Sequence, residues 1–461
     1  MGPIMKFQVV VLAGGMSKKL FPLVSKDVPK ALLPVGNRPV LSYVLELLEA
    51  NNLKDLIVVV AGEDAAVRVG GWITEAYDGR LHVEVAAVSE DIGTADALRA
   101  VLHRLVVDDV LVVSGDIVSD VPLGAIAAAH RRKRAVLTAM LCSSPSASTA
   151  EAISSTGKDK AKKPSPIDIV GLDTSHQHLL FLASGTQVDK DVKIRRSLIR
   201  VVDQMEIHMD LMDAHLYAFN RAILQEVLEL CQGIKSIKQD LVPYLVRSQS
   251  KFGAIASGDT QTEAVGKTPN KDDSGQPQTP MQDIVPLPQH ILPGVLHPAS
   301  LELTCCVYIA SEGKYCSRVN SIQTYGDINR DQVAGELVFL TGYTVSNQNN
   351  VIHPTAEIGS KTTVGPQCMV GDGSKLGDKC SVKKSIVGRH CRIGSNVKII
   401  NSVVMNHVTV EDGCLIQGSV ICSNVHLQER ANLKDCQVGA GYIITANSEH
   451  KAEALSKREK S

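Results

Sequence analysis

Residues 352–388 read IHPTAEIGSKTTVGPQCMVGDGSKLGDKCSVKKSIVG, and aliphatic residues recur in them at a fixed interval. The interval is six residues at Ile352, Ile358, Val364, Val370, Leu376 and Val382, and glycine follows four of these. Farther along, it becomes seventeen residues in three series: Val387, Val404, Ile421 and Val438; Ile393, Val410 and Leu427; Ile399, Ile416 and Leu433. Such repeats predict a left-handed parallel β-helix, whose coils of three short strands point their aliphatic side chains into a triangular prism. The seventeen-residue period predicts that one corner of each coil is one residue shorter.

A second series, of small residues, supports the same prediction. Two positions before each aliphatic residue from Ile358 to Val438 stands an Ala, Ser, Thr, Cys or Val. A narrow prism has room only for side chains of this size, because overpacking strains a core. Five of the eleven cysteines belong to this series and are predicted to be packing residues, namely Cys368, Cys380, Cys391, Cys414 and Cys436.

The N-terminal half has a different pattern, in which strand-like and helix-like stretches alternate. The apolar run at residues 7–13 ends in Gly14 and Gly15, and further strand-like runs follow at 56–61, 83–88 and 110–113. Helix-like stretches separate these runs, so the order predicts a doubly wound α/β domain with a mostly parallel sheet.

Composition shifts divide the chain into five parts. We expect the α/β domain over residues 1–250, with a flexible, Ser- and Lys-rich insertion at 143–166. A flexible linker is predicted at 251–300, a connecting segment at 301–345, the β-helix at 346–445 and a charged tail at 446–461.

The overall composition excludes several classes of function. A net charge of −1 gives no general attraction to nucleic acid, and no apolar stretch approaches the roughly 18 residues that a membrane span needs. The cysteines include no CxxC pair, and the histidines form no cluster at metal-ligand spacing, so we expect reduced thiols, no bound metal and no cofactor. The expected compartment is the cytosol. The basic run at residues 130–134 is interpreted as a solvated helix end in preference to an RNA contact.

The strand that ends at Gly14 and Gly15 begins the motif that bears on chemistry. Residues 12–35 read LAGGMSKKLFPLVSKDVPKALLPV, which resembles the signature of the sugar-phosphate nucleotidyltransferases. Paired glycines let backbone N–H groups approach a phosphate, and Lys30 is placed to neutralise its charge. A tight turn between strand and helix would need glycine as well, so the structural interpretation stays open.

Two further segments of that family's pattern follow in the same order. GTADAL, which begins at Gly93, matches the stretch near the nucleotide base, and VVSGD, which ends at Asp116, matches the strand end whose Asp binds magnesium. The resemblance therefore implies a nucleotidyltransferase-like domain with a nucleotide pocket at Gly14, Gly15, Lys19, Lys30, Gly93 and Asp116. For Asp116, a carboxylate that caps the strand end is favoured over a residual metal ligand.

Departures from the family pattern indicate that this pocket is vestigial. Where the family has Gly-Thr-Arg, the chain has Ser17, Lys18 and Lys19, and lysine lacks the planar fork of arginine. His215 replaces a glycine beside the sugar. Arg318 stands where the family has its second magnesium-binding Asp, and a guanidinium repels a cation. Ser17, Lys18, His215 and Arg318 are therefore predicted to disable catalysis.

With these losses, several local strings resemble the gamma-subunit family of eukaryotic translation initiation factor 2B. They include LPVGNRP from Leu33, DAHLY from Asp213, LVPYLVR from Leu241 and CSRV from Cys316. The resemblance implies a non-catalytic subunit of a guanine-nucleotide exchange factor that reloads initiation factor 2 with GTP. It implies the epsilon subunit, which carries the exchange activity, as partner, together with the other subunits and initiation factor 2.

Two alternatives stay open at this point. The first is an active sugar-phosphate nucleotidyltransferase of the mannose-1-phosphate guanylyltransferase type. The second is a sensing module, whose pocket binds a nucleotide or sugar phosphate without turnover.

Overall fold

The computed structural model describes residues 7–15, 18–25, 28–143, 168–184, 194, 204–256, 304–311, 313–334 and 350–457. Contacts divide the chain into two compact units. The first comprises Met1–Ala125, Ala214–Leu216 and Ala310–Ser461, and the second comprises Ile126–Asp213 and Tyr217–Ile309. The predicted insertion beyond Ser143 and the predicted linker beyond Ala256 lie outside the described residues. Residues 251–256, which were predicted to begin the linker, belong to a helix, Val242–Ala256.

The first unit begins with a parallel sheet in the strand order β6-β1-β4-β5. Its strands are β1 (Phe7–Leu12), β4 (Asp55–Ala61), β5 (His82–Val88) and β6 (Asp109–Ser114). The helices along this stretch are α1 (Val40–Ala50), α2 (Glu63–Tyr77) and α3 (Thr94–Val101), with 3-10 turns at Lys18–Leu20, Lys30–Leu32 and Leu102–Arg104. Val9, Val10 and Val11 are fully buried, as expected for a central parallel strand covered on both faces.

Two small ribbons complete the α/β part of this unit. Strands β2 (Pro34–Val35) and β3 (Arg38–Pro39) form a hairpin, and β7 (Ile117–Ser119) pairs antiparallel with β14 (Cys316–Arg318). The hairpin turns at Gly36 and Asn37, whose φ angles of 53° and 62° are those of a tight two-residue turn. Helix α7 (Ile322–Ala334) follows β14.

The remainder of the first unit is a parallel β-helix with three faces. One face contains β15 (Val351–Ile352), β18 (Met369–Val370), β21 (Ile386–Val387), β24 (Val403–Val404), β27 (Val420–Ile421), β30 (Gln437–Val438) and β33 (Ala454–Leu455). The second contains β16 (Glu357–Ile358), β19 (Lys375–Leu376), β22 (Arg392–Ile393), β25 (Thr409–Val410), β28 (His426–Leu427) and β31 (Ile443–Ile444). The third contains β17 (Thr363–Val364), β20 (Ser381–Lys383), β23 (Lys398–Ile400), β26 (Leu415–Gln417), β29 (Asn432–Lys434) and β32 (Glu449–Lys451).

The predicted register of the β-helix is confirmed over most of its length. From Cys368 to Val438, every predicted inward aliphatic residue and every small residue two places before it is buried. Ile358 differs, with 41% of its surface exposed, because among the described strands β16 has a neighbour on one side only. Strands β32 and β33 lie within the segment that was predicted to be a charged tail, so the coils continue to Leu455.

Corner residues explain the seventeen-residue period. From Lys361 to Ala452 each corner has one residue with a positive φ, and successive corners at Lys384, His390, Asn396 and Asn401 are six, six and five residues apart. The same spacing recurs at His407, Gly413 and Gly418. One corner in three is therefore a residue shorter, as the period predicted.

One face of the β-helix packs against the N-terminal segment of the same unit. Met369, Ile386, Val403 and Val420 precede inward-facing residues and so point outward, yet they are buried in a cluster with side chains of the β2–β3 hairpin, α1 and α7. Polar contacts reinforce this packing, since Asn37 Nδ2 donates to the carbonyl of Val387 at 3.2 Å.

The second unit combines antiparallel and parallel pairing. Strand β8 (Leu137–Ser143) pairs antiparallel with β12 (Leu211–Asn220) and parallel with β13 (Cys305–Ile309). A separate antiparallel sheet has the order β10-β9-β11, with β9 (Ile169–Leu172), β10 (Leu179–Ala183) and β11 (Glu206–His208). Its helices are α4 (Leu123–Lys133), which begins in the first unit, α5 (Arg221–Leu230) and α6 (Val242–Ala256), with a π-helical turn at Ile237–Leu241.

The basic run that ends α4 is only partly solvated. His130 is buried, and its Nδ1 lies 2.9 Å from the Thr138 hydroxyl, whereas Arg132 and Arg134 are exposed. Within the described ranges, no helix combines the length and apolar character that crossing a bilayer requires.

Candidate functional site

The carboxyl ends of β1 and β6 bring the glycine loop and Asp116 to the same edge of the sheet. Leu12 and Ser114 are register partners on the two strands, and the N–H of Gly115 donates to the carbonyl of Leu12 at 2.8 Å. A Cβ at Gly14 would lie 2.8 Å from the backbone nitrogen of Ala61, so this glycine is required by close packing. Gly15, with a φ of 101°, has open space beside it.

The Asp116 carboxylate is the centre of the site and is almost fully enclosed. Arg318 donates to it twice, from Nε to Oδ1 at 2.9 Å and from Nη2 to Oδ2 at 3.0 Å. The Ser114 hydroxyl donates to Oδ1 at 2.6 Å, and Lys30 Nζ forms an ion pair with Oδ2. An ionised carboxylate has about four lone-pair positions, so these four donors occupy its hydrogen-bonding capacity.

The two cations keep this carboxylate ionised. Burial alone would raise the pKa of Asp116, because a charged group is poorly solvated inside a protein. The charges and hydrogen bonds of Arg318 and Lys30 outweigh that effect and hold the pKa well below the usual range of an aspartate. Only 5% of the Asp116 side chain is exposed, against 21% for Arg318 and 13% for Lys30.

Arg318 reaches Asp116 because a short ribbon fixes its backbone. It pairs with Ile117 across β14 and β7, and the N–H of Val319 donates to the carbonyl of Asp116 at 2.9 Å. The guanidinium also donates from Nη2 to the Ser114 hydroxyl at 3.1 Å. The backbone pairing of β14 with β7 and the fork of the guanidinium therefore both hold Arg318 beside Asp116.

The other residues predicted for the pocket lie on other elements of the chain. Lys19 is exposed in the 3-10 turn Lys18–Leu20, and Gly93 precedes α3 as its N-terminal cap residue. His215 lies at an irregularity of β12, with a φ of 56°. Ser17 and the side chain of Lys18 lie outside the described residues.

Lys30 and Asp116, both predicted for the pocket, contact each other. The Asp116 side chain bonds Lys30, Ser114 and Arg318, and the phosphate contact of Lys30 stays a prediction. Ser114 was not predicted as a member of the site. The sequence did contain an indication of its role, because Ser114 stands two residues before Asp116 at the end of a predicted strand.

Comparison with known proteins supports the two-part architecture of the chain. Residues 8–151 match the family profile described as "Nucleotidyl transferase", and residues 347–449 match the one described as "EIF2B subunit epsilon LbH domain". The class of protein is therefore a nucleotidyltransferase-like domain joined to a left-handed β-helix.

The chain belongs to the family of translation initiation factor eIF2B gamma subunits. It is 30% identical over 405 residues to the "Translation initiation factor eIF2B subunit gamma" of Dictyostelium discoideum, an alignment that covers 84% of this chain and 88% of that protein. The gamma subunit of Schizosaccharomyces pombe is 28% identical, with coverage of 82% and 74%. A mannose-1-phosphate guanyltransferase of Emericella nidulans is 30% identical, but over only 27% of this chain and 34% of that enzyme.

Proposed function

We propose that this chain is a non-catalytic subunit of the translation initiation factor 2B complex. In this proposal it pairs with the epsilon subunit in the cytosol and supports the exchange that reloads initiation factor 2 with GTP. Membership of the gamma-subunit family supports the place in the complex. The structural observation that carries the non-catalytic part is the complete engagement of Asp116.

Magnesium binding at Asp116 would require the existing partners to leave. Mg²⁺ takes oxygen ligands in a near-octahedral arrangement and is bound in such enzymes through one or two carboxylates. Here both oxygens of the one carboxylate already accept from Arg318, and Lys30 adds a second cation. A metal ion would have to displace two positive charges from a buried anion, which is strongly unfavourable.

The choice of epsilon as partner rests on likeness between the two chains. The β-helix of this chain matches a profile described for the epsilon subunit. In addition, β31, β32 and β33 are the last described strands of the three faces, and a strand edge favours pairing with another chain unless it is covered. Contacts with the other subunits and with initiation factor 2 are part of the same proposal, because the proposed complex acts on initiation factor 2.

The test of the non-catalytic role is pyrophosphate release. The parent chain and Arg318→Asp are incubated with each nucleoside triphosphate, sugar phosphates and Mg²⁺, beside a mannose-1-phosphate guanyltransferase as positive control. We expect no turnover from either chain, because catalytic groups act as a unit and Arg318→Asp leaves Ser17, Lys18 and His215 in place. Parent turnover of about 1 per second, within the usual enzyme range, contradicts the proposal.

A sensing role is the second candidate, favoured by the open space beside Gly15. A nucleotide or sugar phosphate that binds the folded chain would raise its melting temperature by mass action. A thermal-shift screen of these compounds distinguishes a sensing pocket from a purely structural one.

A further inference from the structure

Three side chains with metal-binding atoms meet on the small antiparallel sheet of the second unit, far in sequence from Asp116. They are His176, Glu206 and His208, and one ligand atom from each lies within 4.8 Å of the others. Glu206 and His208 are two residues apart on β11, so they project from the same face of the strand. His176 comes from the turn between β9 and β10, and β9 is the strand with which β11 pairs.

The turn that carries His176 is fixed by its own hydrogen bonds. The Asp173 carboxylate accepts from the backbone N–H groups of Gln177 at 2.9 Å and His178 at 2.8 Å, and from Nδ1 of His178 at 2.9 Å. The N–H of His176 donates to the carbonyl of Asp173 at 2.9 Å. His176 is therefore held on the turn with a φ of 52°, and its Nε2 lies 2.7 Å from Oε2 of Glu206.

His208 presents a nitrogen that suits a metal ion. Its Nε2 is buried and has no hydrogen-bond partner among the described residues, and it lies 3.7 Å from Oε2 of Glu206. Its Nδ1 faces the carboxylate of Asp210 at 3.5 Å. A carboxylate on one ring nitrogen directs the proton to that nitrogen and leaves the lone pair of the other free, as in many metal-bound histidines.

We propose that His176, Glu206 and His208 form a zinc-binding site. Two imidazoles and one carboxylate are a ligand set that Zn²⁺ accepts, with water in the fourth position. Tetrahedral bonds of about 2.0–2.1 Å place ligand atoms about 3.3 Å apart. The separations of 2.7 Å and 3.7 Å to Glu206 lie on either side of that value, and all three ligand atoms lie within 4.8 Å of one another, so side-chain rotation would have to close the site around the ion. Bound zinc would tie the β9–β10 turn to β11.

Zinc titration of the full chain tests the site. The protein is stripped with a chelator and titrated with ZnCl₂ by calorimetry, as the parent, His176→Ala, His208→Ala, Glu206→Gln and Asp210→Asn. His82→Ala is the matched control. His82 also lies near a carboxylate, at 3.4 Å from Asp55, but among the described residues it belongs to no group of three side chains that could bind a metal ion. Melting of each chelated variant shows that it is folded.

We expect one zinc site in the parent and in His82→Ala. Asp210→Asn should weaken it by roughly 10–100-fold, the usual effect of losing an outer carboxylate. His176→Ala, His208→Ala and Glu206→Gln should weaken it by more than Asp210→Asn does. Equal zinc binding by all variants, or no saturable binding by the folded parent, overturns the proposal.

Discussion

At Asp116, one buried carboxylate accepts hydrogen bonds from three side chains, and two of them are cations. Arg318 and Lys30 supply the positive charge that balances this carboxylate. In the function proposed above, Arg318 would therefore do more than remove a metal ligand, because its charge would stand in for that of a metal ion.

The first prediction concerns the stability that this charge cluster provides. Asp116→Asn would leave Arg318 and Lys30 without their anion, and breaking a buried pair in this way typically destabilises a protein by about 3–5 kcal/mol. Glu84→Gln is the control, because Glu84 is half exposed and pairs with Arg104 at 2.7 Å, where about 0–1 kcal/mol is typical. Denaturant unfolding of both variants measures the difference, and equal effects would contradict the account.

The pH dependence of this difference has a definite sign. Because folding lowers the pKa of Asp116, its stabilisation is fully present above the ordinary aspartate pKa of about 3.9. It declines as the pH falls below that value, where the unfolded chain takes up the proton first. The difference in melting temperature between parent and Asp116→Asn should therefore be constant near neutral pH and shrink in acid.

The sequence placed Lys30, Asp116 and Arg318 in one site, but it predicted neither the presence of Ser114 nor the contacts among these side chains. Arg318 is 202 residues from Asp116, and only the resemblance to the nucleotidyltransferase signature placed the two in one pocket. That the guanidinium would bind the aspartate itself depends on the pairing of β14 with β7. The proposed zinc ligands have no signature in the sequence, because the spacing of His176 from Glu206 and His208 follows no local motif.

Among the elements, the β-helix was the most predictable. Its period is a local property of the sequence, because each coil repeats the same strands and corners and buries its residues against its two neighbours. The prediction differed at the ends. Ile358 is exposed in the first coil, and the strands continue through His450, whose polar side chain interrupts the aliphatic series.

A substitution inside the prism tests this register. Ser402 is buried, its hydroxyl accepts from the N–H of Ser419 at 3.1 Å, and it donates to the carbonyl of Ile400 at 2.7 Å. Ser402→Trp would overpack the prism and leave that N–H without its partner, so we expect a loss of at least about 3 kcal/mol.

The outward-facing Lys398 offers the matched control for this test. It is exposed on β23, so Lys398→Trp should change the free energy of unfolding by no more than about 0.5 kcal/mol. Thermal or denaturant unfolding gives both values. If Ser402→Trp melts like the parent, the assigned register is wrong.

For the whole molecule, the order of segments along the chain does not match the compact units. The first unit combines residues from both ends of the chain, and Asn37 contacts Val387 across 350 residues. Sequence patterns predicted an α/β domain and a β-helix as successive domains. They contained no signal that the β2–β3 hairpin and α7 would cover a face of the β-helix, because that contact depends on surfaces formed only after folding.

The most direct test of the proposed function is the rate at which GDP leaves initiation factor 2 in the presence of the epsilon subunit. The epsilon subunit is prepared alone and co-expressed with this chain, and release is followed at equal epsilon concentration. The account predicts that the two chains co-purify and that release is faster from the co-expressed preparation. Failure to co-purify, together with an unchanged release rate, would contradict the assignment of this chain as a supporting subunit.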